Sequence, residues 1–160
     1  MARNRKIKWD EKVGLLPNAR RELPRLITAY FSQVREVLAK DGSPRKLHKL
    51  RLASKRLRYT LELFRPCYPA GLEDRLDTLR KLQDSLGEVN DAVASARLLR
   101  EPLKRHPKLR KFLDDRAEEQ AKEFARHWKE TFDAPGREAW WTDFLAHHSI
   151  RKVTLPAGQR

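Results

Sequence analysis

Apolar positions recur at steps of three and four along most of the chain, and no segment alternates with period two, so helices are the only regular elements the pattern predicts. Pro24 suits a first helical turn; Leu26/Ile27, Tyr30/Phe31, Val34 and Val37/Leu38 follow it, and Asp41-Gly42 closes the run. Ser43-Pro44 reads as an N-cap with proline at the first helical position, opening a second helix that stops near Phe64, before Pro66. A turn at Cys67 to Gly71 leads into a long helix from about Leu72 to Arg100, with a seam of Leu79, Leu82, Leu86, Val89, Val93 and Ala96. Pro102 and Pro107 interrupt the chain. A fourth helix then carries Leu109, Phe112/Leu113, Ala117, Ala121, Phe124, Trp128 and Phe132, and Trp140, Trp141, Phe144 and Leu145 mark a short last one. The expected fold is all-α, an antiparallel four-helix bundle with a short C-terminal capping helix. Residues 1–17 read as a basic flexible arm, 18–150 as the helical domain and 151–160 as a C-terminal tail.

The second helix is unusual. Leu47 to Tyr59, LHKLRLASKRLRY, holds five Lys or Arg, one His and no acid. At 100° per residue, His48, Arg51, Lys55, Arg58, Tyr59 and Glu62 fall within an arc of roughly 100°, opposite Leu50, Ala53, Leu57, Leu61 and Phe64. The apolar side is a core stripe and the other a cationic ridge about 15 Å long, widened by Lys46, Lys49 and Arg56. A solvated helix face interleaves Glu with Lys at four-residue spacing, but this ridge has no acid before Glu62, which reads as an ion-pair partner for Arg58 or Lys55. The shape matches a linear polyanion. Arginine can grip phosphate oxygens as a fork, lysine offers a point charge, and a histidine held among phosphates is favoured in its charged form.

Overall charge agrees with that reading. The 160 residues carry a formal net charge of +14 with a pI of about 10.3. Residues 1–65 contribute 18 basic against 6 acidic residues, whereas residues 66–160 contribute 18 against 16, so the excess is concentrated in the first part. Mean hydropathy is −0.80, but the helical spacing of the 39% apolar residues predicts a folded chain. A lone Cys67 rules out an intrachain disulfide and a thiolate metal cluster and suits a reducing compartment. No leader-like segment and no run of 18 apolar residues is visible, so the expectation is a cytoplasmic protein with no membrane partner.

His48-Lys-Leu-Arg51, then Lys55-Arg56-Leu-Arg58-Tyr59 and Glu62-Leu-Phe64, followed by Leu79-Arg-Lys81-Leu82-Gln83-Asp84-Ser-Leu86-Gly87-Glu-Val-Asn90-Asp91, resembles the CHAD family of conserved-histidine α-helical domains, most closely over residues 44–95. The resemblance implies an all-helical domain that binds inorganic polyphosphate on a basic surface, often at polyphosphate granules. It assigns His48, Arg51, Lys55, Arg56 and Arg58 as phosphate ligands. Lys49, Tyr59, Glu62, Lys81, Gln83, Asn90 and Asp91 become supporting residues, although interhelical hydrogen bonding is an equal reading for Gln83, Asn90 and Asp91. On the wheel, Gln83 and Asn90 border the core seam while Asp91 lies away from it, and Gly87 reads as a point of close helix approach. Family members usually carry the basic motif twice; a single copy resembling the second half implies a homodimer that rebuilds the whole. Trp140-Trp141-Phe144 suits either that interface or a core cap.

Catalytic signatures are thin. The Glu-x-Glu motif of the triphosphate hydrolases often joined to this family is absent, no Gly-rich phosphate loop occurs, and no metal site is read from His106 beside Pro107, from His127 or from the adjacent His147-His148. Asp114-Asp115 and Glu118-Glu119 read as a solvated face balancing Arg110, Lys111 and Lys122. No enzymatic activity, metal or cofactor is expected. The alternative function is non-specific binding of nucleic-acid backbone, since any phosphate chain answers a basic ridge; base stacking is disfavoured with Tyr59 as its single aromatic.

Overall fold

The computed structural model describes residues 7–40 and 42–150; residues 1–6 of the expected arm, Asp41 and the expected tail 151–160 lie outside them. Among the described residues the fold is all-α, with six α-helices: α1 (Leu15–Lys40), α2 (Pro44–Leu63), α3 (Gly71–Leu98), α4 (Arg100–Lys104), α5 (Pro107–His127) and α6 (Arg137–His147). A 3-10 turn spans Arg65–Cys67 and a π turn spans Trp128–Phe132. Helix α2 packs between α1 and α3, α5 lies along α3 and also touches α2, and α6 lies along α1.

Helix α1 starts nine residues before the expected Pro24, which sits inside it. A proline in a helix interior removes one backbone bond and costs about 3 kcal/mol. The helix runs through because Ala19, Leu23, Ile27 and Phe31 form one fully buried stripe at four-residue spacing on both sides of the proline. Residues 7–14, expected as part of a loose arm, are tied to this early turn. The buried Asn18 side chain accepts the Asp10 N–H at 3.0 Å and donates to the carbonyls of Asp10, Val13 and Gly14. Buried Glu22 accepts the Lys8 N–H at 3.2 Å, and Trp9 packs against Phe64. At the other end Gly42, with φ 57°, donates to the Val37 carbonyl at 2.9 Å and closes α1 in the left-handed conformation that glycine adopts without strain.

Helix α2 buries Leu50, Ala53, Leu57 and Leu61, with Phe64 just past its end, as the wheel requires, and adds Ser54. Ser54 donates to the Leu50 carbonyl at 2.9 Å, so the buried Tyr30 hydroxyl of α1 must donate to Ser54 Oγ. On α3 the seam runs Leu79, Leu82, Leu86 and Val89 and then passes to Ala92, leaving Val93 and Ala96 half-buried. The fourth apolar pattern lies on α5 and the π turn, and the short α4 occupies the stretch before it, where an interruption was expected. In the pattern's inner half Ala121, Phe124, Trp128 and Phe132 join the core and Ala117 is buried outside it, whereas Leu109 and Phe112 are exposed.

The aromatic cluster of α6 closes the core of its own chain. Trp141 is fully buried against Phe132, and Phe144 stacks on Tyr68, which answers the choice between cap and interface for those two rings. Buried Arg75 of α3 lies over the rings of Trp140 and Phe144, 3.6 and 3.8 Å from their centroids, and donates to the carbonyls of Gly71 and Trp140. Burial, reinforced by the nearby Arg137 charge, lowers its pKa to about 10, and the guanidinium remains protonated at neutral pH. Gly71 permits this approach, since a Cβ there would lie 2.9 Å from the Phe144 ring. Gly87 differs: a Cβ there meets nothing within 4 Å, so the expected close helix approach does not occur.

Candidate cationic site on the second helix

Burial of Leu50, Leu57 and Leu61 turns the opposite face of α2 to solvent along its edge with α3. The helix holds seven Lys or Arg against one acid, Glu62, and begins behind Pro44 with no acidic residue in its first turn. Its positive dipole end is therefore uncompensated by side chains.

Two of the predicted ligands are held by the neighbouring helix. His48 Nδ1 donates to Asn90 Oδ1 of α3, which leaves Nε2 without a partner among the described residues. Ten residues on, Arg58 donates from Nε to Gln83 Oε1 at 2.9 Å and from Nη1 to Glu62 Oε1 at 2.7 Å, with its guanidinium 4.5 Å from the Tyr59 ring centroid. Tyr59 is half exposed. Glu62 thus pairs with Arg58, as one of its two expected partners, and not with Lys55.

Between these anchors, half-buried Arg51 and Lys55 and exposed Lys49 and Arg56 have no acidic partner among the described residues. The contrast with α5 is informative: there Lys111 pairs with Asp115 at 2.6 Å and Arg110 approaches Asp114 at 3.8 Å, the compensated face read from the sequence. Four uncompensated cations within eight residues of one helix repel one another and are poised for an anion.

The α3 residues divide. Gln83 and Asn90, which border the seam, reach the ridge; Asp91, which faces away, accepts from the Asn90 amide at 3.5 Å. Lys81 is exposed and has no acidic partner among the described residues. The Gln83 Nε2 group is buried without a hydrogen-bond partner. Sequence reasoning missed Arg80, which approaches Glu62 at 3.6 Å while paired with Asp77. Its position three residues before Gln83, on the same helix face, was the available signal.

Among the described residues no three His, Cys, Asp or Glu side chains converge as a metal site, and no helix is long and apolar enough to cross a membrane. No curated protein and no solved structure shows a significant match to the chain. The family model for the CHAD domain matches residues 3–100, a span that holds α1, α2 and α3 and therefore the whole cationic ridge with its two braces. The chain belongs to the CHAD domain family.

Proposed function

We propose that the outer face of α2 binds inorganic polyphosphate, with His48, Arg51, Lys55, Arg56 and Arg58 as ligands, and that the protein acts as a binder without catalysis of its own. The observation that carries this reading is the run of Lys49, Arg51, Lys55 and Arg56, without an acidic partner among the described residues, between two ends braced from α3, His48 by Asn90 and Arg58 by Gln83. Bracing reduces the side-chain freedom lost on binding, and a ridge about 15 Å long offers a cation at every turn to a linear chain of phosphates. Family membership supports the same ligand class. A ridge open on one side also supports pairing of two chains about a twofold axis across the anion, which neutralises their repulsion. A chain that sediments as a monomer with and without polyphosphate would sink that pairing. Localisation at polyphosphate granules follows from the ligand.

The deciding experiment is a competition titration at near-physiological salt, with long-chain polyphosphate against duplex DNA and RNA of matched phosphate content. A polyphosphate preference lost in Arg51→Ala/Arg58→Ala supports a dedicated site; each substitution is expected to cost about 1–3 kcal/mol. Equal affinities for all three polymers, lowered together by the variant, would make the ridge a generic phosphate-backbone surface and put nucleic acid first.

A further inference from the structure

Within residues 66–150 the positive charge is concentrated in one stretch. Residues 97–111 hold seven basic residues and one acid, Glu101, so the rest of residues 66–160 has 11 basic (18 − 7) against 15 acidic (16 − 1). This stretch is the turn between two long helices: it takes in the last turn of α3, all of α4 and the first turns of α5, and α4 packs on both neighbours. Arg97, Arg100, Arg105 and Lys108 are exposed and have no acidic partner among the described residues.

Large apolar side chains project from the same end. Leu98 is 84% exposed, Phe112 58%, Leu109 45% and Leu99 41%. Leu103 of α4 is buried, as are Ala92 of α3 and Ala117 of α5, and none of the three joins the main core cluster. The turn buries Leu103 and presents its other large apolar groups outward.

We infer that this α3–α4–α5 tip docks on the surface of a bilayer rich in anionic phospholipid. The charge disfavours a second copy of the same tip, because two such surfaces repel. A phosphate chain answers the cations but gives three leucines and a phenylalanine nothing to bury against. A lipid surface supplies both, a sheet of negative headgroups above an acyl layer that apolar side chains enter to a depth of about 5–10 Å. The membrane-crossing criterion, which no described helix meets, does not bear on such surface docking.

The test is flotation of the full chain with phosphatidylcholine vesicles and with vesicles containing about a third phosphatidylserine, over a range of salt. The chain should float with the anionic vesicles alone and be released as salt rises. Leu98→Ser/Phe112→Ser should lower vesicle partitioning by about tenfold or more and leave polyphosphate affinity unchanged. Arg51→Ala/Lys55→Ala should do the reverse. Arg100→Gln/Arg105→Gln, at exposed positions, is an independent variant that should also weaken flotation, should the serine variant fold poorly. The inference is overturned if the parent chain ignores anionic vesicles, if the tip variants float as it does, or if only the α2 variant loses binding. A serine variant that changes the sedimentation of the free chain would instead make the tip a contact between copies.

Discussion

Arg58 of α2 donates to Gln83 of α3 at 2.9 Å while its second donor group holds Glu62 at 2.7 Å, so the direction of one ridge cation is set by a different helix. Removing the brace and removing the charge should have separable effects. Gln83→Ala should lower polyphosphate affinity by about 0.5–1.5 kcal/mol, the scale of one neutral hydrogen bond, and leave the salt dependence of binding unchanged. Arg58→Ala should cost more and also reduce the slope of log K against log salt by about one ion. Titrations at four or five salt concentrations check both; a slope change in Gln83→Ala would show that Gln83 does more than orient Arg58.

The hydroxyl chain from Tyr30 through Ser54 to the Leu50 carbonyl makes an asymmetric prediction for the α1–α2 interface. Tyr30→Phe leaves Ser54 still donating to Leu50 and should cost about 1 kcal/mol. Ser54→Ala strands the buried Tyr30 hydroxyl, whose pKa burial already pushes up, and should cost about 1–3 kcal/mol. Urea unfolding of the two variants gives the order directly.

Gly87 occupies an α-helical position with no neighbour within 4 Å of a would-be Cβ and no positive φ. Gly87→Ala should therefore stabilise the fold by about 0.5–1 kcal/mol through the lower entropy of the unfolded chain and the better helix propensity. Thermal melting tests this; a destabilised variant would mean that the space beside α3 is needed.

Glu22 supplies an acid-sensitive element. Burial pushes its carboxyl pKa up, but the Lys8 N–H and the Arg21 and Arg25 guanidinium groups outweigh it, and the net direction is below the ordinary 4.5. A folded-state pKa below the unfolded one adds stability that is present above the ordinary carboxylate range and is lost as pH falls through the lower folded value. Glu22→Gln should cost about 1–3 kcal/mol at neutral pH and flatten the acid side of the stability profile, read from melts between neutrality and strong acid. An unchanged acid limb would assign that pH dependence to other carboxylates.

Much of the architecture was legible because helical burial is periodic. The α2 stripe of Leu50, Leu57 and Leu61 and the α3 seam from Leu79 to Val89 can be counted off the sequence, and the caps at Gly42 and Ser43-Pro44 lie where residue preferences put them. Pro24 misled because a local propensity cost was outweighed by a buried stripe continuous from Ala19 to Phe31. Leu109 and Phe112 misled for the opposite reason: their spacing is that of a core face, but both side chains are exposed.

The sequence by itself determined the cationic face of α2, since charge, spacing and the lack of interleaved acids belong to one segment and need no partner to be seen. Only the tertiary structure decided which cations are held and which are free. His48 meets Asn90 and Arg58 meets Gln83 across 42 and 25 residues of chain, and a pairing at that separation is a product of how two helices pack, which no local pattern encodes.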